Sequence, residues 1–342
     1  MKIDRSRAIQ FLLDNLVWIL LLLTLLAFSL LTPRFLTVGN LTNILVHSTV
    51  LGIMVIGQSF TLLTGNFDLS AESTLGLAAI IGAFLLVPAG EPNFGAGLQL
   101  SPLLVVPIMF AVGLAVGWIN GLFITRLKMN NFIVTLAMLI ILRGLTMVIT
   151  EGRTITGLPE TFKALGAASM GVVPISIVVV GLAFLAASLV TRSTRFGRDL
   201  YAVGGNRNAA LASGINPDRR IRHVYLISGL LAAFAGWIML GRLGVGATRM
   251  GEGMIFEIQA AAVIGGISLF GGRGTMVGAL GGVLLLSTID SGLNLLRVSG
   301  FAINMIRGLI ILFAMLIDAQ KARYRAPVAN STYVTPAVRQ TS

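Results

Sequence analysis

Residues 192–223 are the longest polar stretch in a chain built otherwise of long apolar runs, and no other feature restricts its folding as much. Arg192, Arg195, Arg198, Arg207, Arg219, Arg220 and Arg222 stand there against only Asp199 and Asp218. Apolar runs flank the stretch on both sides, so it reads as a loop between two membrane helices, and its positive excess assigns it to the cytoplasm. That assignment orients every other span. Within it, Gly204, Gly205, Asn206, Arg207, Asn208, Ala209, Ala210, Leu211, Ala212, Ser213, Gly214 and Ile215 predict a small helix between two glycine stops. A helix exposed at that place is suited to docking a soluble partner.

The rest of the composition agrees with a membrane setting. Of 342 residues, 56% are hydrophobic and 11% charged, and the mean hydropathy is +0.91. No soluble single domain has that balance, so the fold class is all-α, a polytopic integral membrane protein. The net charge of +12 sits in short clusters at the ends of apolar runs rather than on one face, so it sets topology and does not point to nucleic acid. With no cysteine, disulfides, thiolate metal sites and Cys nucleophiles are all excluded. The 40 glycines fit closely packed membrane helices.

Residues 1–15, with Lys2, Arg5 and Arg7, read as a cytoplasmic N-terminal segment, residues 16–318 as the transmembrane domain with a cytoplasmic loop at 191–223, and residues 319–342 as a polar cytoplasmic tail. Apolar runs at 16–31, 41–65, 73–87, 102–124, 131–149, 172–190, 224–241, 276–296 and 302–317 are assigned as crossings. Residues 258–271 are too short for a full crossing of about 20 residues. That eighth element is either completed by Ile255 and Phe256 or is a broken or re-entrant helix. Residues 89–101, 151–171 and 242–257 fall outside. About ten transmembrane helices put both termini inside, and the basic residues agree: Arg126, Lys128 and Arg273 join the arginine loop and the termini, while the outer loops are sparser in Lys and Arg.

Polar groups inside spans are costly, so each requires an account. Asp290 and Arg307 lie at equal depth on consecutive antiparallel spans and are candidate partners, as a structural ion pair or as part of a transport route. Arg143 has no partner on its own helix and must face the bundle, water or another helix's carbonyls. Gln58, Thr61 and Thr64 gather toward the inner end of the second span, followed by Gly65, Asn66 and Asp68, which can hold backbone out of helical geometry. Broken helices of this kind lie near substrate routes; the alternative is a tight turn whose Asp68 or Ser70 caps the next helix. Gly265, Gly266, Gly271, Gly272 and Gly274, with Ser268 among them, make a second weak point, as a gate or as close packing. Asn294 and Asn304 add weak polar lining.

Other chemistries are absent. There is no Gly-x-x-x-x-Gly-Lys-Ser/Thr phosphate loop and no His-Glu-x-x-His pair. With His47 and His223 as the only histidines, neither a metal site nor a His-based triad is expected.

Several separated motifs together resemble ABC-type sugar permeases of the ribose, xylose and arabinose class, within the wider branched-chain amino-acid and sugar permease superfamily. They are Thr64-Gly65-Asn66-Phe67-Asp68-Leu69-Ser70, Asn120-Gly121, Phe132-Ile133-Val134-Thr135-Leu136 with Arg143-Gly144, Gly204-Gly205-Asn206 with Ala209, Ala210 and Ser213-Gly214-Ile215, and the run from Ile264 to Gly274. The resemblance implies a ten-helix permease in a bacterial cytoplasmic (inner) membrane that pairs as a homodimer or heterodimer, binds two cytoplasmic ATPase subunits and receives sugar from an extracytoplasmic binding protein. ATP and magnesium then belong to the ATPase, and this chain binds no cofactor. The short helix from Asn206 to Gly214 is implied to sit in a cleft of the ATPase. The sequence departs from the family in Arg207 and Asn208, where an acidic residue is usual, in Met129, Asn130 and Asn131, where proline is often found, and in Glu72, where a small residue is common. The expected function is import of a pentose or hexose. The rivals are a branched-chain amino-acid permease, an ion-coupled secondary carrier and a non-transporting scaffold.

Overall fold

The computed structural model describes residues 15–171, 173–310, 312–313 and 316. The charged N-terminal segment before Asn15 and the tail at 319–342 lie outside them, as does part of the run at 302–317.

The helices in order are α1 (Leu16–Leu31), α2 (Val38–Leu63), α3 (Ala71–Leu86), α4 (Pro102–Thr125), α5 (Asn131–Thr150) and α6 (Glu160–Ala167). A two-residue hairpin of β1 (Ser169–Met170) and β2 (Val173–Pro174) follows. Then come α7 (Ile175–Ser193), α8 (Arg195–Gly205), α9 (Arg207–Ala212), α10 (Pro217–Leu243), α11 (Met254–Ile264) and α12 (Met276–Leu295), and α13 (Gly300–Ile310). Local chemistry explains many of the starts. Thr37, Asn130, Thr194, Asn206, Asn216 and Thr275 each accept a backbone N–H of the first turn they precede. Pro102 and Pro217 occupy first-turn positions where no donor is needed.

Among the described residues, α2, α4, α5, α7, α10 and α12 are long and apolar enough to cross a membrane, and α1, α3, α11 and α13 are shorter apolar helices. Six helices of full length do not by themselves give the expected count of about ten transmembrane helices with broken or re-entrant elements. Sixteen residues in α3 span about 24 Å at 1.5 Å per residue, short of a hydrocarbon core of about 30 Å. The centre of the bundle is α2, buried over most of its length, with α10 and α12 beside it; α4, α5 and α7 bury only a minority of their surface and form the outer layer. α4 and α10 meet backbone to backbone. A methyl group built on Gly229 would lie 2.1 Å from the carbonyl oxygen of Gly113, and one on Gly117 would lie 2.3 Å from that of Tyr225, so only glycine permits the crossing.

Three expectations need correction. Residues 192–223 are not a loop: α7 runs on to Ser193, α8 and α9 occupy most of the stretch, and α10 begins at Pro217. Arginine is a good helix former, so polarity there marks where the apolar layer ends and not where helix ends. The small helix has one glycine stop rather than two. Gly214 is left-handed at φ +81°, but Gly204 and Gly205 belong to α8, and Asn206 starts α9 as its N-cap. The stretch at 151–171, expected as an outer loop, contains α6 and β1, so among the described residues the fold is all-α except for one minimal hairpin. The eighth element is broken: α11 begins at Met254, taking in Ile255 and Phe256, and ends at Ile264 before a glycine-rich, non-helical run.

Candidate functional site

The first interruption, between α2 and α3, is held by side chains from three other helices. Gly65 takes φ +74°, a left-handed geometry that suits glycine. Asn66 donates to the carbonyl and hydroxyl oxygens of Thr64 at 3.1 and 3.0 Å and accepts from Asn131 of α5 at 3.0 Å. The Asp68 carboxylate, 2% exposed, accepts the Ser70 N–H at 3.1 Å and the hydroxyls of Ser70 and Ser228, both at 2.6 Å. Asn120 of α4 donates to the Ser70 hydroxyl at 2.8 Å, and Tyr225 of α10 donates to the Phe67 carbonyl at 2.6 Å. Every one of these bonds satisfies a group that an apolar surrounding would penalise. The capping alternative fails in its simple form. Ser70 occupies the N-cap position of α3 without making a side-chain cap bond, and Asp68 bonds the N–H of Ser70 instead of one in the helix.

The second interruption, between α11 and α12, is a turn that folds on itself. Ser268 donates its N–H to the Arg273 carbonyl at 3.0 Å and accepts the Phe270 N–H on its hydroxyl at 3.2 Å. The two interruptions touch: the Gly272 N–H donates to the Leu63 carbonyl at 2.9 Å. The end of α8 closes on the same spot. A methyl group on Gly204 would lie 2.0 Å from the Leu63 oxygen and 2.5 Å from the Gly272 nitrogen. Tyr201 of α8 donates to the Gly274 carbonyl at 2.8 Å, and burial pushes its hydroxyl above the usual tyrosine value, so it stays a donor. Gly204 is thus a contact residue, not a helix stop.

From this contact α9 projects outward. Asn206 accepts the N–H groups of Asn208 and Ala209, both at 3.0 Å, while only Ala210 of the helix is buried. Asn208, Ala209, Ser213 and Gly214 are exposed, and Ile215 is half-buried. Arg207 pairs with Asp218 at the start of α10, which Lys128 also holds at 2.5 Å.

The other predicted residues form separate clusters. Gln58 donates to Gln259 of α11 at 2.9 Å, and Thr61 turns its hydroxyl back onto the Gln58 carbonyl at 2.9 Å. Arg143 does find partners across the bundle. It donates to the Met250 carbonyl at 3.1 Å and to Glu72 at 3.4 Å, and the second Glu72 oxygen accepts the Ile255 N–H at 2.9 Å. One carboxylate therefore joins the first turns of α3 and α11 to α5. Asp290 and Arg307 pair through two bonds of 3.1 and 2.8 Å as their depth suggested, but Glu257 also pairs with Arg307. Asn294 donates to the Asp290 carbonyl and Asn304 accepts from Arg307, both as exposed bonds.

Gln259, Glu257, Ser228, Tyr225 and Tyr201 escaped the sequence reading as site residues. By hydropathy Glu257 falls in an outer loop, because the apolar run begins at Ile258, yet α11 starts four residues earlier, at Met254. Ser228 and Tyr225 carried no signal, since both polar groups sit singly in an apolar helix and gain meaning only from the interruption they bind.

A bundle of apolar helices with two interrupted segments in contact, buried hydrogen-bonding side chains around them and an exposed basic arm defines a membrane transport permease. Consistent with that class, a family profile described as "Branched-chain amino acid transport system / permease component" matches residues 40–316. The chain belongs to that family. It is 38% identical over 307 residues to the ribose import permease protein RbsC of Escherichia coli K12, covering 89% of this chain and 92% of the relative. It is also 38% identical over 296 residues to RbsC of Bacillus subtilis 168, covering 86% and 89%. Identity to the galactose/methyl galactoside import permease protein MglC of Escherichia coli K12 is 32% over 330 residues, covering 93% and 98%. No solved structure matches the chain. The relatives are permeases, transport components rather than enzymes.

Proposed function

We propose that the chain is the membrane-spanning permease subunit of an ATP-driven importer of a neutral sugar, a pentose or a hexose. The observation that carries this reading is the arm formed by α8 and α9, whose Gly204 rests on both interruptions at once. An arm of that kind lets a soluble subunit's motion reach the solute route through a single packed contact, and such coupling requires a contact that differs between two states. On this reading Gly205, Asn206, Arg207, Asn208, Ala209, Ser213, Gly214 and Ile215 dock the cytoplasmic ATPase, which alone uses ATP and magnesium, while Gly204 and the buried Ala210 face the bundle. An extracytoplasmic binding protein delivers the sugar, and two permease chains, alike or different, complete the pore. Gln58, Thr61, Thr64, Asn66, Asp68 and Ser268 belong to the route, while Arg143, Asp290, Asn294, Asn304 and Arg307 brace it.

Among the described residues the four short apolar helices bring the apolar helices to ten; on this reading each takes part in a crossing, and both termini lie in the cytoplasm of a bacterial inner membrane. Relatives named for ribose and galactose import favour a sugar over a branched-chain amino acid. The test is reconstitution of the permease in liposomes with its ATPase and binding protein. ATP-dependent uptake of labelled ribose or galactose, and none of leucine, is the expected result; uptake of leucine alone would replace this reading with the amino-acid one.

A further inference from the structure

α11 is held differently on its two sides. Toward α12 the contact is backbone on backbone: a methyl group on Gly282 would lie 2.0 Å from the Ala261 carbonyl oxygen, and one on Gly278 would lie 2.0 Å from that of Gly265. Contacts that close bind α11 and α12 into one unit. Toward α2 the polar contact is a single hydrogen bond, Gln58 Nε2 to Gln259 Oε1 at 2.9 Å, between side chains 1% and 8% exposed. The two residues lie far apart in sequence, so the bond joins helices that only the fold brings together.

The pair is incompletely satisfied. Gln58 Oε1 is buried and has no hydrogen-bond partner among the described residues. A carboxamide offers two donors and an acceptor oxygen with two lone pairs, and a pair retained only to fasten helices would use them. Two more buried atoms without partners, Ser73 Oγ and Asn120 Oδ1, border the first interruption. Ser73 lies in the first turn of α3, and Asn120 bonds Ser70 through its nitrogen. The residues around the first interruption thus hold unused hydrogen-bonding capacity.

We propose that Gln259, together with Gln58, is a solute-selecting gate, closed here by the amide–amide hydrogen bond and opened when α11 swings away from Gln58 of α2 to offer both amides to a sugar, while Ser291 of α12 stays bonded to Asn40 at the start of α2, at 2.8 Å. The inference rests on the importer reading above. Its chemistry is specific. Each carboxamide presents a donor and an acceptor side by side, which matches neighbouring hydroxyls that both donate and accept. Both groups are neutral, so a zwitterionic amino acid would find no opposite charge there to replace its hydration, while a polyol needs none. α11 ends at Ile264, where non-helical backbone replaces the helix, so a change of backbone angle there can swing it.

The test uses the full transporter in liposomes, with the same ATPase and binding protein throughout, and measures uptake alongside ATP hydrolysis. The probes are ribose or galactose, whichever the wild type takes up, and its singly deoxygenated analogues. Absence of any sugar uptake by the wild type sinks the importer reading and leaves the gate without a subject. Given uptake, Gln259→Leu is expected to lose about tenfold in sugar moved per ATP while hydrolysis continues, because a polar contact to a hydroxyl is removed. Gln259→Asn, which keeps a shortened carboxamide, is expected to reduce the wild type's preference for the sugar over one deoxy analogue by about threefold or more. Since the binding protein is constant, its own selectivity cancels.

Two results overturn the gate. One is a Gln58→Leu, Gln259→Leu double variant that regains wild-type uptake, as expected of a pair that merely fastens helices. The other is an Asn variant with unaltered preference. If the leucine variants do not accumulate, the Asn variant alone decides.

Discussion

At the scale of single residues, the clearest energetic statement concerns Arg307, which sits between Asp290 and Glu257. Because the guanidinium has two carboxylate partners, removing Asp290 still leaves it paired, whereas Arg307→Ala leaves two carboxylates facing each other. Arg307→Ala is therefore expected to be the most destabilising single change of the three, by about 2–3 kcal/mol, toward the low end for a buried pair because each side chain keeps partial exposure. Thermal unfolding of the purified variants in detergent checks the order; an Asp290→Ala variant less stable than Arg307→Ala would contradict it. A second prediction follows from Glu72, whose two oxygens bind Arg143 and the Ile255 N–H. Glu72→Ala strands Arg143 beside the Met250 carbonyl, so the combined Glu72→Ala, Arg143→Ala change should cost less than the sum of the single changes, measured in the same unfolding assay. Asp290 with Arg307 was legible in the sequence because equal depth on neighbouring helices is a one-dimensional property. Glu72 with Arg143 was not, because the segment that carries Met250 folds back into the bundle, which no hydropathy plot shows.

At the scale of elements, the informative structure is the junction of α8 with the two interruptions. Gly272 takes φ +69°, and a methyl group there would lie 2.7 Å from both Cα and N of Gly205. Gly272→Val is expected to separate α8 from the glycine turn and abolish uptake while leaving ATP hydrolysis by the assembled transporter measurable; uptake within twofold of the wild type would detach the arm from the route. Gly214→Val tests the outer end of the arm in the same assay. Its φ of +81° is strained for a β-branched residue but has open space around it, so the loss should come from reorienting α9 rather than from a clash. The interruptions were legible as alternatives, because Gly65, Asn66 and Asp68 fall together and Gly265 to Gly274 cluster, but Gly and Asn alone do not decide it: Gly113, Gly117 and Asn120 lie inside helical α4. The helices inside the arginine stretch were only half legible. Their caps, Thr194, Asn206 and Asn216, are ordinary cap residues, but the charge around them resembles a loop when polarity is taken as the guide.

At the scale of the whole molecule, everything depends on which way the arm faces. The chain has no cysteine, so a single cysteine introduced at Ser213 is the only thiol in the protein. Ser213 is exposed and lies just beyond α9, and its hydroxyl bonds only the Ala209 carbonyl, at 2.9 Å, so the replacement costs the fold little. With the arm in the cytoplasm, a membrane-impermeant maleimide should leave this cysteine unmodified in intact cells and modify it in inside-out vesicles. Assembly with the ATPase should then protect it, since α9 would be covered. Labelling from outside intact cells would invert the map, and with it the roles assigned to both interruptions. Labelling from inside that the ATPase does not block would keep the orientation and remove the docking role. The same preparation separates an importer subunit from a self-sufficient carrier: the permease alone, given an ion gradient and no ATPase, should move no sugar, because under the proposed function the motion that opens the route enters through α9 and nothing else in the assay drives it.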